Sequence, residues 1–290
     1  MQATKRFHPD AMYALARCYE HGWGAKKDSS KALHFYKTAA TAGNKAAMYR
    51  TGLALLNGEL SLRKDVRDGV KWLKRAAATV DREFPHALYK LAEVYEKGYP
   101  PIIYPDLAYS LKLLKDAAAL EFPPAMTRLG EGYEFGRYGL DKDERESIRW
   151  FMTAATLGDP DAQFSLAGWY LTGSPDNLAP SEHDALFWTQ KAAAYGLPKA
   201  QYAMGYFCEM GIATIADADE ARRWYIQAAR NGTCLHWRVK LLFRVKTHSL
   251  NSTLGDERAR RKLGHGTTDS VQSQTTAADV QRDKKDCLIM

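Results

Sequence analysis

The 290-residue sequence predicts an all-α fold, an α-solenoid of about six helical hairpins followed by a disordered C-terminal tail. Three observations predict it. An alanine recurs at Ala11, Ala47, Ala87, Ala125, Ala162 and Ala200, at intervals of 36, 40, 38, 37 and 38 residues. A glycine follows each of them 11 residues later, at Gly22, Gly58, Gly98, Gly136, Gly173 and Gly211. An Ala-Ala pair closes each unit, at Ala39-Ala40, Ala76-Ala77, Ala117-Ala118, Ala154-Ala155, Ala192-Ala193 and Ala228-Ala229. Self-similarity at a period of this size marks an array of stacked supersecondary units.

The first half of each unit reads as a helix. In the third unit Ala87, Leu91, Val94 and Tyr95 fall at i, i+4, i+7 and i+8, one apolar stripe on a 3.6-residue period. Gly98 then stands where a left-handed residue stops the helix. The second half is a helix of different character. In the sixth unit, Trp224-Tyr225 precedes Ala228-Ala229, so two small residues let helices approach while the rings fill the space between units. Gly43, Gly158, Gly196 and Gly232 follow the first alanine of a pair by four residues, a second helix stop. Unit two drifts, with Thr51-Gly52 where the pattern has Leu-Ala and Leu55 where it has Tyr; unit six carries Met204 and Cys208. A single hairpin of this size cannot bury its own apolar faces, so six of them are expected to stack over residues 9–233.

After the last unit the pattern changes. Around 235–246, Leu235, Trp237, Val239, Leu241, Phe243 and Val245 alternate with basic side chains, and 234–250 reads as a divergent capping segment, with contact to a membrane surface as the alternative. Residues 251–290 read as a flexible tail. From Cys234 onward there are 11 Lys/Arg against 6 Asp/Glu, so most of the net charge of +7 sits there and the repeat body is close to neutral. A basic tail suits nucleic acid or an anionic membrane face. Nucleic-acid binding has no other support and is not expected.

Composition excludes several classes. No run of about 18 apolar residues predicts a membrane-spanning helix. The first residues contain no apolar stretch before a small-residue cleavage site, so no export signal is expected. Cys18, Cys208, Cys234 and Cys287 form no CxxC and read as reduced thiols. His8, His21, His34, His86, His183, His236, His248 and His265 show no HxxxH or HExxH spacing, so no metal site is expected. No phosphate-binding glycine loop and no nucleophile elbow occur. Glu20, Glu96, Glu134 and Glu209 each follow the aromatic-position residue near the end of a first helix, which raises the idea of paired carboxylates. A catalytic group is not built once per repeat, so these are read as structural or solvated. No enzyme and no cofactor are expected.

The full pattern, A-x3-L-[AG]-x2-Y-x2-G and then A-x2-W-[YF]-x2-A-A-x3-G, resembles the Sel-1-like repeat, a relative of the tetratricopeptide repeat. Three strings narrow the resemblance. Leu166-Ala167-Gly168-Trp169-Tyr170-Leu171-Thr172-Gly173 resembles the L-[SA]-G-W-Y-L-T-G of fungal chitin synthase regulators. Arg128-Leu129-Gly130-Glu131-Gly132-Tyr133-Glu134-Phe135-Gly136 resembles their R-L-G-x-x-Y-E-[YF]-G, and the stretch from Gly205 to Ile212 resembles their G-Y-F-x-E-x-G-I. This resemblance implies an adaptor that activates or positions the chitin synthase catalytic subunit at the cytoplasmic face of the plasma membrane, at septa, the bud neck and growth sites. The alternative is a general membrane-tethered signalling scaffold that recruits a kinase or a small-GTPase regulator.

The last four residues add a separate signal. Cys287-Leu288-Ile289-Met290 matches C-a-a-X, with two aliphatic middle residues and a terminal Met that favours farnesyl. Cys287 is the expected S-farnesyl site, and Leu288, Ile289 and Met290 the residues protein farnesyltransferase reads. A farnesylated end is also what the chitin synthase regulators carry. One lipid chain binds a bilayer only marginally, so a second attachment is expected. Arg282, Lys284 and Lys285 contribute little because Asp283 and Asp286 interleave them.

Overall fold

The computed structural model describes residues 8–232. Among these, twelve α-helices form six hairpins, with two isolated β-bridges as the only extended pairing. The hairpins are α1 (Pro9–His21) with α2 (Ser29–Thr41), α3 (Lys45–Asn57) with α4 (Val66–Ala77), and α5 (His86–Lys97) with α6 (Leu107–Ala119). They continue with α7 (Pro123–Phe135) and α8 (Glu144–Thr156), α9 (Pro160–Thr172) and α10 (Glu182–Ala194), and α11 (Pro198–Met210) and α12 (Ala218–Arg230). This is the expected all-α solenoid. The chain divides into two compact units, 1–162 and 163–290, with the division in the first turn of α9. Within each unit the helices pack on their neighbours in chain order.

Each hairpin is closed by the same device, which the repeat pattern did not reveal. Asp28, Asp65, Asp106, Asp143, Ser181 and Asp217 are the N-caps of the six second helices, each accepting a backbone N–H from the helix's first turn. A short polar side chain in extended backbone satisfies a donor the helix itself leaves unpaired. The backbone N–H of the same residue donates back to the first helix of its hairpin, Asp28 to the Tyr19 carbonyl at 2.9 Å and Asp143 to that of Tyr133 at 3.0 Å. One residue therefore starts one helix and ties it to the other.

The opening alanines mark helix contacts. Ala47, Ala87, Ala125, Ala162 and Ala200 are fully buried. Ala11, in the first hairpin, is exposed, because no described helix precedes α1 to cover that face. The closing glycines mostly behave as expected: Gly22, Gly58, Gly136 and Gly211 are left-handed C-caps. Gly98 differs. Its φ of 67° comes with a ψ of 167°, a region open essentially to glycine alone. The Pro105 ring lies where a Cβ would be, with Cδ at 2.7 Å, so the longer loop of this hairpin folds back onto the glycine.

At the [AG] position of the pattern, five residues after the opening alanine, Gly52, Gly130 and Gly205 each lie close against the second helix of their hairpin. In unit two Gly52 and Gly69 face each other, and a Cβ on either would meet the other's carbonyl oxygen at 3.0 Å. What reads in sequence as drift is a matched pair: glycine on both helices brings the backbones together, and Leu73 and Leu56 fill the flanks. Gly52→Ala should cost about 1–2 kcal/mol of stability in this hairpin, because the obstruction includes backbone that has no rotamer to change. Urea unfolding of the two proteins checks this; no loss would mean the helices part without cost.

Candidate partner-binding surface

The residues singled out from the sequence fall into two groups. Cys287, Leu288, Ile289 and Met290, the capping segment 234–250 and the tail 251–290 lie outside the described residues. The recurrent glutamates lie within them. Glu20 accepts the Tyr36 hydroxyl at 2.5 Å and the Arg50 guanidinium, Nε at 3.1 Å and Nη2 closer still. Arg50 extends the chain to Glu59 at 2.5 Å. Glu96 pairs with Arg128 of the next hairpin, Glu209 accepts the Tyr225 hydroxyl at 2.6 Å, and Glu134 is engaged as well. The carboxylate is thus a strut at the end of the first helix. Its partners recur too: a Tyr 16 residues on in two units, and an Arg 30 or 32 residues on in two.

These ties move the ionisation of their members. Burial acts to raise Glu20, but the hydrogen bonds from Arg50 and Tyr36 and the guanidinium charge outweigh it and hold the carboxyl below its usual range. Burial and the neighbouring carboxylate push the Tyr36 phenol upward. Tyr89 is pushed up to about 12, chiefly by burial. Tyr89 belongs to a file of rings that runs through three hairpins of the first unit. Tyr49 meets Phe84 at 5.5 Å, Phe84 meets His86 at 4.9 Å, His86 meets Phe122 at 5.0 Å, and Phe122 meets Tyr89 at 5.5 Å. Crowding by these rings lowers the His86 imidazole. Ring contacts of this kind, three of the four edge-on, hold consecutive hairpins in register. Among the described residues, no three His, Cys, Asp or Glu side chains gather as metal ligands. No described helix is long and apolar enough to cross a membrane.

The first unit also has a groove of about 840 Å³ between α4 and the α5–α6 loop. One wall is cationic, with Arg67, Lys71 and Lys74 at i, i+4 and i+7 on one face of α4. The other wall is apolar and open: Ile102 is 39% exposed, Tyr104 69% and Leu107 46%. No sequence pattern announced it, because the walls come from different hairpins and one of them is an irregular loop.

A repeat array with open apolar and charged surface, and with its carboxylates committed to structural ties, is a protein-interaction scaffold in class. The Sel1 repeat model matches residues 9–44, 45–78, 85–122, 123–159, 160–196 and 198–233, and the chain belongs to that family. Its similarities narrow the class to the fungal chitin synthase regulators that the sequence strings resemble. A chitin synthase regulator of Malassezia restricta is 47% identical over 209 residues, 72% of this chain and 14% of the relative. Chitin synthase regulatory factor 3 of Schizosaccharomyces pombe is 40% identical over 232 residues, 79% of this chain and 25% of the relative. Activator of C kinase protein 1 of Saccharomyces cerevisiae is 33% identical over 258 residues, 80% of this chain and 41% of the relative. The chain therefore spans less than half the length of each of these curated relatives. Among solved structures, a Sel1 repeat protein from Oxalobacter formigenes superposes with a TM-score of 0.72 at 27% identity, covering 80% of this chain and 91% of the other.

Proposed function

We propose that this chain is a non-catalytic adaptor that binds chitin synthase and activates or localises it for cell-wall and septum chitin synthesis. The similarity of its repeat block to proteins named as chitin synthase regulators carries the reading. The structural role of the recurrent glutamates supports it, since the groups that could have suggested catalysis are spent on holding hairpins together. In this reading the chain acts by binding free energy, biasing where the synthase sits or which conformation it holds. It works at the cytoplasmic face of the plasma membrane, with protein farnesyltransferase attaching a lipid to Cys287 through the Leu288, Ile289 and Met290 signal.

The test uses fungal cells that lack their own regulator, expressing this chain or its Cys287→Ser variant. The wild-type chain should restore chitin synthase activity and sediment with membranes. The variant should lose roughly tenfold in membrane-bound fraction, as expected when one reversible lipid contact is removed, and with it most of the restored activity. Failure of the wild type to restore activity or to co-purify with synthase would sink the assignment. A second reading, a membrane-tethered scaffold for a kinase or small-GTPase regulator, draws on the similarity to a protein named for activating C kinase. It predicts recovery of a kinase, and of no synthase, in the same purification.

A further inference from the structure

The groove between α4 and the α5–α6 loop has a chemistry that neither reading uses. Arg67 and Lys74 have no carboxylate within ion-pair distance among the described residues, Lys74 Nζ lying instead 5.7 Å from the Tyr95 ring centroid, whereas Lys71 is paired with Asp68 at 2.8 Å. The one carboxylate in the lining, Asp106, is committed to capping α6, its Oδ1 accepting the Tyr109 N–H at 2.8 Å. The same loop carries Tyr99, with Lys64 Nζ 5.2 Å and Lys97 Nζ 5.6 Å from its ring centroid. Positive charge therefore surrounds the groove and has little local negative charge to meet it. Facing it are Ile102, Tyr104 and Leu107, three apolar side chains that the fold leaves open to water. Open apolar surface rimmed by cationic side chains marks an interaction site.

We propose that this groove binds an acidic peptide segment of a partner protein, one that carries apolar side chains among its aspartates and glutamates. The apolar side chains would lie on Ile102, Tyr104 and Leu107 while the carboxylates meet Arg67 and Lys74 across the groove. Apolar anchors set the depth of such a segment, and the opposed charges select its sign and speed its capture. The shape favours a peptide over a bilayer. The cationic and apolar groups line opposite sides of an open groove of about 840 Å³, and one extended segment laid along it reaches both. The proposal stands on this geometry and holds whichever protein supplies the segment.

The probe is a fluorescein-labelled acidic peptide carrying one Phe and one Leu, titrated with the full chain and read by anisotropy. A peptide with the same Phe and Leu among lysines is its counterpart. The acidic peptide should bind and the basic one should not. Arg67→Glu and Tyr104→Ser should each weaken binding about tenfold, and Arg145→Glu, an exposed change on α8, should leave it unaltered. Neither groove variant threatens the fold: a Glu in the first turn of α4 suits the positive end of the helix dipole, and Tyr104 is mostly exposed. Thermal unfolding of each variant confirms that it is intact. Equal binding of both peptides, or binding indifferent to the groove variants, overturns the proposal. So does capture of phosphatidylserine vesicles, sensitive to Tyr104→Ser, in the absence of peptide binding, which would assign the patch to a lipid surface.

Discussion

Phe151→Ala is expected to destabilise the first unit by about 3–5 kcal/mol, the largest loss anticipated for any single side chain here. Phe151 lies on α8 and is fully buried. Its ring sits over Gly130 of α7, close enough that a Cβ there would meet ring atoms at 2.9 Å. Glycine has brought the two helices together, so the ring has no slack around it, and cutting it to a methyl leaves a void that Gly130 has no side chain to fill. Collapse across the gap would require α7 and α8 to move, and the Asp143 cap and its bond to the Tyr133 carbonyl hold the hairpin end. Phe151→Leu keeps most of the volume and should cost about 1 kcal/mol. Repeat arrays need not unfold in one step, so amide hydrogen exchange in α7 and α8 is the better measure, with urea unfolding beside it. Protection unchanged in α7 and α8 of Phe151→Ala would mean that the ring is not what joins them.

The same hairpin shows what the sequence could and could not disclose. The alternation of Ala, Gly and Ala-Ala specified six hairpins because each mark answers to a local requirement: a small residue where helices touch, and a left-handed residue where a helix ends. The partner of a small residue is not local. Gly130 became intelligible only beside Phe151, Gly52 beside Gly69, and Gly205 beside the Tyr225 ring, whose carbons lie 2.6–2.9 Å from its missing Cβ. The Asp caps were visible as letters, but their spacing follows loops of variable length, and the loop ending at Pro105 is longer than that ending at Lys27. Recurrence marks Glu20 and its counterparts as structural or solvated; that Glu20 and Glu96 reach the next hairpin, while Glu209 ties the two helices of its own, depends on where Arg50, Arg128 and Tyr225 lie. The groove beside α4 left no trace in the repeat, since its apolar wall comes from the irregular segment between Gly98 and Leu107.

Arg50→Met is expected to cost about 2–3 kcal/mol at pH 7, below the full value for a buried pair because the site retains some contact with water. Arg50 is 22% exposed and Glu20 13%, so removing the guanidinium leaves Glu20 largely enclosed, with the Tyr36 hydroxyl and the neighbouring His21 left to stabilise its charge. Glu59 is lowered as well, with burial opposing and the hydrogen bonds from Asn57 and Arg50 prevailing. The sign of the pH dependence follows from these directions. Glu20 and Glu59 are lowered on folding, so their contribution is complete above the unfolded glutamate value of about 4.3 and is lost as pH falls through the lowered folded values. Wild-type stability attributable to the strut should hold from neutrality to about pH 5 and decline below that. In Arg50→Met the enclosed Glu20 gains by taking up a proton, so acid should relieve the variant as it weakens the wild type. The gap between the two proteins, read from urea unfolding at a series of pH values, should therefore narrow toward pH 3. A gap of the same size at pH 7 and pH 3 would show that Arg50 acts through the packing of its aliphatic stem, and the glutamate strut would lose its claim to join one hairpin to the next.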